Sequence, residues 1–558
     1  MKKQILLLAM FILLGFSKAN CQTQVPDWAW AKGAPSYSQG LGEGWSIATD
    51  KSNNVYVTGW FNESIKFGSF NLVTNHVYTF FLAKYDPSGN VKWAKSVVSS
   101  ANAYSEGYNI CTDLSCNVYI TGYFNDTVAF GSFNLTSAGQ NDFFLVKYDS
   151  SGNALWAKSA GGTSDSYGLG ISTDLSGKVY VTGYFFTPSI SFGSYFLTNA
   201  GVYDIFIAKY DSSGNVLWAK SAGGSGDDRG YGITTDKLSN VFITGRFASP
   251  IIAFGSDTLT DVGGYDVFLA KYDSSGHILW AKSAGGTSID VGNYIAADAS
   301  DNVYITGWYN SPSISFGSYT LTASGGYDAF LVKYDSSGNV SRAKSIGGAG
   351  DEYGYCITVD KSSKVFVSGS FTSSSLAFDT ITVHQPVFHP DPMFVAGYDS
   401  SGLALWAKAL GSGGDDQNAV ATSPSGCIYI GGDLTYSDPF IIGNDSLHLS
   451  GLEEVFIAKL CYSDSGQGIS EISTTKEFIL YPNPFEDKLN VTASPPTPLR
   501  GRGEEEELTL FDVFGRVLLR RSFINQATIN TEQLARGMYF YEVRDKEGVG
   551  ARGKAIKQ

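Results

Sequence analysis

The sequence predicts an all-β chain, most of it a seven-bladed β-propeller of four-stranded blades. Three observations lead there. The tripeptide Trp-Ala-Lys begins at Trp30, Trp93, Trp156, Trp218, Trp280 and Trp406, with Arg342-Ala343-Lys344 as a degenerate copy, and the successive gaps are 63, 63, 62, 62, 62 and 64 residues. Two further landmarks keep that register. Val55-Tyr56-Val57-Thr58-Gly59 recurs from Val118, Val179, Val241, Val303, Val365 and Ile428, and Lys84-Tyr85-Asp86 recurs from Lys147, Lys209, Lys271, Lys333, Gly397 and Lys459. Composition agrees: of 558 residues, Gly supplies 64, Phe 36 and Tyr 33, and only 16% are charged. Such a chain is too aromatic for disorder and is built from strand-forming residues.

Within one unit, residues 169–174, 179–185, 204–210 and 216–221 each form a short run rich in β-branched and aromatic side chains. Asp174-Leu175-Ser176-Gly177-Lys178 and Asp211-Ser212-Ser213-Gly214-Asn215 are tight-turn sequences, in which Asp caps its own turn and Gly accepts positive φ. Four antiparallel strands repeated radially make a propeller blade. A blade needs about 40–45 residues, so the surplus at 189–203 is expected to form a small extra hairpin. The repeated aromatics are expected to pack between blades. The seventh unit lacks its own Trp-Ala-Lys, and the spare Trp28-Ala29-Trp30-Ala31-Lys32 is expected to become the outer strand of the last blade.

The motif order Gly-Ile-x-x-Asp, Asn-Val-Tyr-Val-Thr-Gly, Asp-x-Phe-x-x-Lys-Tyr-Asp, Ser-Gly-Asn, Trp-Ala-Lys resembles the SBBP repeat of bacterial seven-bladed propellers, over about residues 28–461. Ahead of it, residues 1–21 read as a secretory signal: Lys2 and Lys3 precede an apolar run from Ile5 to Phe16, which is too short to span a bilayer. No later segment reads as transmembrane. After about Ser473 the pattern changes to Tyr481-Pro482-Asn483-Pro484-Phe485, Phe511-Asp512-Val513-Phe514-Gly515-Arg516 and Gly537-Met538-Tyr539-Phe540-Tyr541, with a basic end. This resembles the C-terminal sorting domain of the type IX secretion system. The resemblance implies a small C-terminal β-sandwich read by the export machinery, with Pro482, Asn483, Pro484, Gly515, Gly537, Tyr539 and Lys554 as its sorting motif. The expected organisation is a signal peptide at 1–21, the propeller at 22–465, a linker at 466–473 and the sorting domain at 474–558. Within the last, the Pro- and Glu-rich stretch 494–507 is expected to be a disordered loop.

Charge narrows the function. Lys and Arg number 39 against 53 Asp and Glu, a net of −14, which argues against nucleic acid and anionic membranes as partners. From Thr474 onward 13 basic residues face 12 acidic ones, so residues 1–473 carry −15. No nucleophile elbow, zinc-protease motif or phosphate-cradling loop is present, and no catalytic residue is assigned. The pair His384 and His389 with Asp391 is a candidate metal site, and the metal question stays open. The Asp-Ser-Ser-Gly-Asn turns resemble calcium loops but lack the later Glu. No cofactor is expected, with Ca2+ the one ion kept in view. Cys427 and Cys461 replace residues that lie opposite each other in neighbouring strands, so a disulfide is expected there; Cys111 and Cys116 flank one turn and form a second candidate pair.

The long insertions and inter-blade loops should share one face. Each inter-blade loop carries an acid there: Glu43, Glu106, Asp165, Asp227, Asp228, Asp290, Asp351, Glu352, Asp415 and Asp416. Seven-fold repetition would set them in a ring that binds a cation or a basic ligand. The expected protein is a monomeric, secreted or surface-attached propeller acting in binding or adhesion. Its partners are the type IX machinery and an extracellular glycan or protein held on the long-loop face. A polysaccharide- or protein-degrading hydrolase or lyase is the alternative, and a surface-coat protein the next.

Overall fold

The computed structural model describes residues 25–36, 40–101, 103–386, 391–412, 418–435, 440–448, 453–462, 478–481, 488–493, 506–512, 516–523, 526–545 and 548–557. Every regular element among them is a β-strand. The chain divides into two units between Cys461 and Tyr462. The first therefore ends with its last strand, Glu454–Cys461, four residues before the boundary expected from sequence.

That first unit contains seven four-stranded antiparallel sheets. In the third blade Ser166–Thr173, Val179–Phe185, Asp204–Tyr210 and Val216–Ala222 pair as a meander. Its first strand starts three residues earlier than the hydrophobic pattern implied, because the register shifts between Gly168 and Gly170. The bulge at Leu169 breaks the alternation that marks a strand in sequence. Each first strand neighbours the first strands of the two adjacent blades, and the circle closes between Ala419–Thr422 and Gly42–Thr49. A belt of threonines stitches part of that circle: Thr112 donates to the carbonyl of Thr49 (2.8 Å), Thr173 to that of Thr112 (2.9 Å), and Thr49 to that of Thr422 (2.7 Å).

The last blade takes its outer strand, Asp27–Ala34, from the other end of the propeller, as the spare Trp-Ala-Lys copy implied. It pairs with Glu454–Cys461 from Asp27 opposite Cys461 to Ala34 opposite Val455. It covers the outer edge of Glu454–Cys461, which would otherwise lie open.

The landmarks recur because each makes the same contact with the next blade. Indole Nε1 of Trp93, Trp156 and Trp218 donates to the carbonyls of Ser150, Ser212 and Ser274 in the following blade's turn, at 3.1–3.2 Å. Lys84, Lys147 and Lys209 donate to the same three carbonyls. The indole lies flat on the turn glycine: a β-carbon on Gly214 would sit 2.9 Å from the Trp156 ring. That glycine also has φ near +81°, so two independent constraints exclude a side chain there. The buried Tyr of the second strand donates to the Asp closing the first, as in Tyr56 to Asp50 (2.9 Å) and Tyr180 to Asp174 (3.0 Å).

The surplus residues form a hairpin in every blade, for example Ser189–Phe192 with Tyr195–Thr198. Its Ile190 and Phe192 are buried and join the core between blades. Cys427 and Cys461 are disulfide-bonded. Cys111 and Cys116 are not. They face opposite sides of blade two: Cys111 packs into the cluster of Tyr119 and Trp156 toward blade three, whereas Cys116 stands by Tyr56 and Lys84 of blade one.

The second unit pairs Phe478–Tyr481, Lys488–Ala493 and Gln526–Asn530 in one sheet. Val517–Phe523, Glu506–Phe511, Gly537–Asp545 and Gly548–Lys557 form the other. Leu489 packs with Leu510 and Tyr539, and Ile529 with Leu508, Phe523 and Val543, so the two sheets share one core, as a β-sandwich does. The expected loop 494–507 gives up its last two residues to a strand. Glu507 pairs there with Ser522 and Arg544 and lies 3.8 Å from Arg520.

Candidate functional site

In six blades the first strand is bulged at the same place, one residue after a glycine. The bulged residues are Trp45, Tyr108, Leu169, Tyr231, Asn293 and Tyr355, and all six line the central channel. On the second strand the residue after the landmark Gly is Trp60, Tyr123, Tyr184, Arg246, Trp308 or Ser370. These two positions differ from blade to blade while the landmarks around them stay constant.

The channel is blocked partway down. At the register next to the bulge stand Ser46, Asn109, Gly170, Gly232, Cys356 and Ala419, all small or short, and one large residue, Tyr294. The Tyr294 hydroxyl reaches from blade five to donate to Asn109 Oδ1 of blade two (3.1 Å), which also accepts from Ser46 Oγ (3.1 Å). Above this plug lies a cavity of about 280 Å³, walled by Trp45, Tyr108, Tyr184, Tyr231, Arg246 and Trp308. It is a cup on the hairpin side, of a size suited to a small ligand or one residue of a polymer.

Its rim is a chain of touching rings. Trp45 lies 4.1 Å from Tyr108, Tyr108 lies 5.7 Å from Tyr123, Tyr123 lies 4.8 Å from Tyr167 and Tyr167 lies 5.0 Å from Tyr184. Two cations interrupt it. Arg229 sits over Tyr184 (4.6 Å) and Tyr203 (4.4 Å), and Arg246 over Tyr265 (4.1 Å). Asp227 binds Arg229 through two bonds of 2.6 and 2.9 Å, accepts from the Tyr265 hydroxyl (3.1 Å), and lies 3.5 Å from Arg246 Nη2.

The acids expected to form one ring occupy three different registers. Asp228, Asp290 and Glu352 are equivalent to one another and fully buried. Asp228 accepts from the amides of Gly224, Ala248 and Ser249 and from Ser249 Oγ, and Asp290 and Glu352 repeat the pattern with Ser311 and Ser373. These three hold loops together and do not face a ligand. Asp165, Asp227 and Asp351 precede them by one residue; Asp165 accepts from Asn141, and Asp351 from the Tyr327 amide. Glu43 and Glu106 follow by one. Glu43 accepts from the indoles of Trp45 (2.6 Å) and Trp60 (3.1 Å). Glu106 is 5% exposed, and burial pushes its carboxyl up to about 7 against the opposing hydrogen bond from Tyr123. Asp415 and Asp416 lie outside the described residues.

Among the described residues no group of three or more His, Cys, Asp or Glu side chains is placed to hold a metal ion. His384 ends a hairpin strand, Ile381–His384, and His389 lies outside the described residues. The turn acids are occupied within their own turns: Asp211 accepts from the amides of Ser213 and Asn215 and from Asn215 Nδ2. Of the sorting motif, Gly537 and Tyr539 begin the strand Gly537–Asp545 and Lys554 belongs to Gly548–Lys557; Pro482, Asn483, Pro484 and Gly515 lie outside the described residues.

Sequence reasoning treated the aromatics as core, which holds for the repeated ones such as Tyr56, Trp93 and Phe81. It missed the channel set. The available signal was variation: in Gly-x-x-Ile the first x runs Trp, Tyr, Leu, Tyr, Asn, Tyr through blades one to six.

Residues 479–558 match the model of the secretion system C-terminal sorting domain, and residues 217–246 match that of the SBBP beta-propeller repeat. The sorting domain marks the chain for export through the type IX secretion system to the cell surface or beyond it. No helix among the described residues is long and apolar enough to cross a membrane. An uncharacterized WD repeat-containing protein of Acanthamoeba polyphaga mimivirus is 27% identical over 52% of this chain and 26% of its own length. The regulatory protein FlaEY of Caulobacter vibrioides is 28% identical over 25% of this chain and 15% of its own. The chain thus spans about a quarter or less of these relatives. Among solved structures, a protein of unknown function from Dyadobacter fermentans aligns over 78% of this chain and 99% of its own at 9% identity, with a TM-score of 0.38. The extracellular domain of a putative one-component system from B. thetaiotaomicron aligns over 92% and 81% at 13% identity, with a TM-score of 0.25.

Proposed function

We propose that this exported propeller, with its SBBP repeats and type IX sorting domain, is a binding or adhesion protein that holds its ligand in the aromatic cup at the channel mouth. One observation carries the reading: the residues that differ between otherwise repeated blades converge on a single cavity. A repeat conserves what packs, and a site needs unequal residues in one place. Half-buried Trp and Tyr present broad ring faces at small entropic cost, with a polar tip left for hydrogen bonding. The test is an array of glycans and matrix proteins probed with the exported protein. Trp308→Ala and Tyr231→Ala should weaken retention at least tenfold while the melting temperature stays within a few degrees. Retention unchanged in both variants would move the site elsewhere.

A further inference from the structure

We infer that the cup selects a carboxylate-bearing sugar, a uronic acid residue at the end of a glycan chain; this rests on the cup being the ligand site. The wall carries one cation. Arg229 is held by its paired bonds to Asp227, and Arg246 makes a longer, 3.5 Å bond to the same carboxylate, its Nε being buried. One Asp therefore serves two arginines, and among the described residues Arg246 is the only charged side chain lining the cavity. Its guanidinium lies over the Tyr265 ring at 4.1 Å. A planar, oriented guanidinium matches a carboxylate better than it matches single hydroxyls.

Three blades away, Asn418 is 4% exposed and lines the same cavity. Its Nδ2 is used on the Gly369 carbonyl (2.9 Å), and its Oδ1 is buried. The cup thus offers a cation on one side and the aromatic walls Trp308 and Tyr184. A hydroxylated pyranose with one carboxylate meets both. The charge of −15 on residues 1–473 repels a polyanion lying along the surface, within the roughly 8–10 Å over which surface charges act. A single acidic chain end entering the cup escapes most of that repulsion.

The experiment titrates the exported chain calorimetrically with a uronic acid trisaccharide and with the neutral trisaccharide of the same linkage, at 150 mM salt. The parent protein should bind the acidic sugar at least tenfold more tightly. Arg246→Met should bring the two affinities together, Arg246→Lys should keep part of the preference, and Trp308→Ala should weaken both sugars alike. Equal binding of the two sugars by the parent, or a preference that survives in Arg246→Met, overturns the carboxylate assignment and leaves the cup standing. Binding of a peptide with a free C-terminal carboxylate in place of either sugar overturns the sugar class. Sugar binding indifferent to Trp308→Ala removes the cup itself, and no binding by any probe overturns the inference outright. Arg246→Gln serves as the neutral variant if the Met variant does not fold.

Discussion

Cys427 and Cys461 are bonded across the two middle strands of the last blade, and Cys461 stands opposite Asp27, the first residue of the strand that closes the ring. The bridge therefore holds the blade into which the far end of the propeller must dock. It closes a loop of 34 residues, for which the chain-entropy relation gives roughly 3–4 kcal/mol. Replacing both cysteines by Ser should lower the melting temperature by several degrees, and adding reductant to the parent protein should reproduce that drop. An unchanged melting curve in both would show that packing alone holds this blade.

Docking of the closing strand is the second expectation. Trp30 is 9% exposed, donates through Nε1 to Pro87 of blade one (3.2 Å), and its neighbour Ala31 donates to Asp445 (2.6 Å). Removing residues 27–32 deletes this pairing and a buried indole, whose loss alone costs about 3–5 kcal/mol. The truncated ring should melt well below the parent, with early protection loss in Ile428–Leu434 and Glu454–Cys461 by hydrogen exchange. Melting and exchange identical to the parent would mean that the ring closes without the strand.

The contrast between ring and cup explains what the sequence could reveal. Trp156 on Gly214, Lys147 on Ser212 and Tyr180 on Asp174 are contacts each blade makes with the next or within itself. They demand the same residues at the same spacing, and repetition exposes them. Tyr231, Arg246 and Trp308 are defined by difference, so no repeat announces them. The bulge hides them further, because Leu169 and Gly170 occupy one step of the ladder and the period of two fails there. Tyr294 is visible as an oddity only once its register is aligned with Ser46, Asn109 and Gly170. The acidic ring failed for a local reason: ahead of the strand Arg229–Thr235, Asp228 turns inward to the amides of Gly224, Ala248 and Ser249, while Asp227 pairs with Arg229 at the rim.

The clamp itself is testable at one glycine. At Gly214, φ near +81° and the Trp156 ring 2.9 Å from the β-carbon position oppose any side chain. Gly214→Ala should destabilise by at least the ~1 kcal/mol of the left-handed conformation, and more because the indole must shift and lose its bond to Ser212. Trp156 fluorescence should move to the red in the folded variant. A stability equal to the parent's would mean that the turn relaxes without disturbing the neighbouring blade.

Passage from the periplasm to the cell surface should depend on the second unit. The first unit ends at Cys461 and has its own cores, so removing residues 474–558 takes away the sorting domain and leaves every propeller strand in the chain. The truncated chain should keep the parent's propeller melting transition yet stay in the periplasm. Its normal appearance on the cell surface or in the medium would show that the address lies elsewhere.

Stability should depend on pH through three repeated acids. Asp142, Asp204 and Asp266 open the third strands of blades two to four and are at most 3% exposed. In each, one oxygen accepts from the amide four residues earlier (2.9 Å) and the other has no partner. Burial pushes their carboxyls up to about 6, about 6 and about 7, with Asp228 adding to the effect on Asp204, and Asp261 and Asp290 adding to that on Asp266. An unfolded Asp titrates near ~3.9, so the folded chain binds more protons than the unfolded one between about pH 4 and pH 7. Their contribution is complete below the unfolded value and disappears as pH rises through 6–7, on the order of 2 kcal/mol per site. The turn acids Asp149, Asp211 and Asp335 act oppositely. Desolvation raises their carboxyls, but the hydrogen bonds within each turn together outweigh it and hold them low, so their contribution is lost below about pH 4. The melting temperature of the propeller should therefore peak near pH 4, fall as pH rises to about 7 and level off above it. Asp266→Asn keeps an acceptor for the Val262 amide and removes the titrating proton; with Glu106 as a fourth raised carboxyl, it should flatten the alkaline limb by about a quarter. A melting temperature that rises steadily from pH 5 to pH 8, or an Asn variant with the parent's slope, would mean that these carboxyls ionise freely in the folded chain.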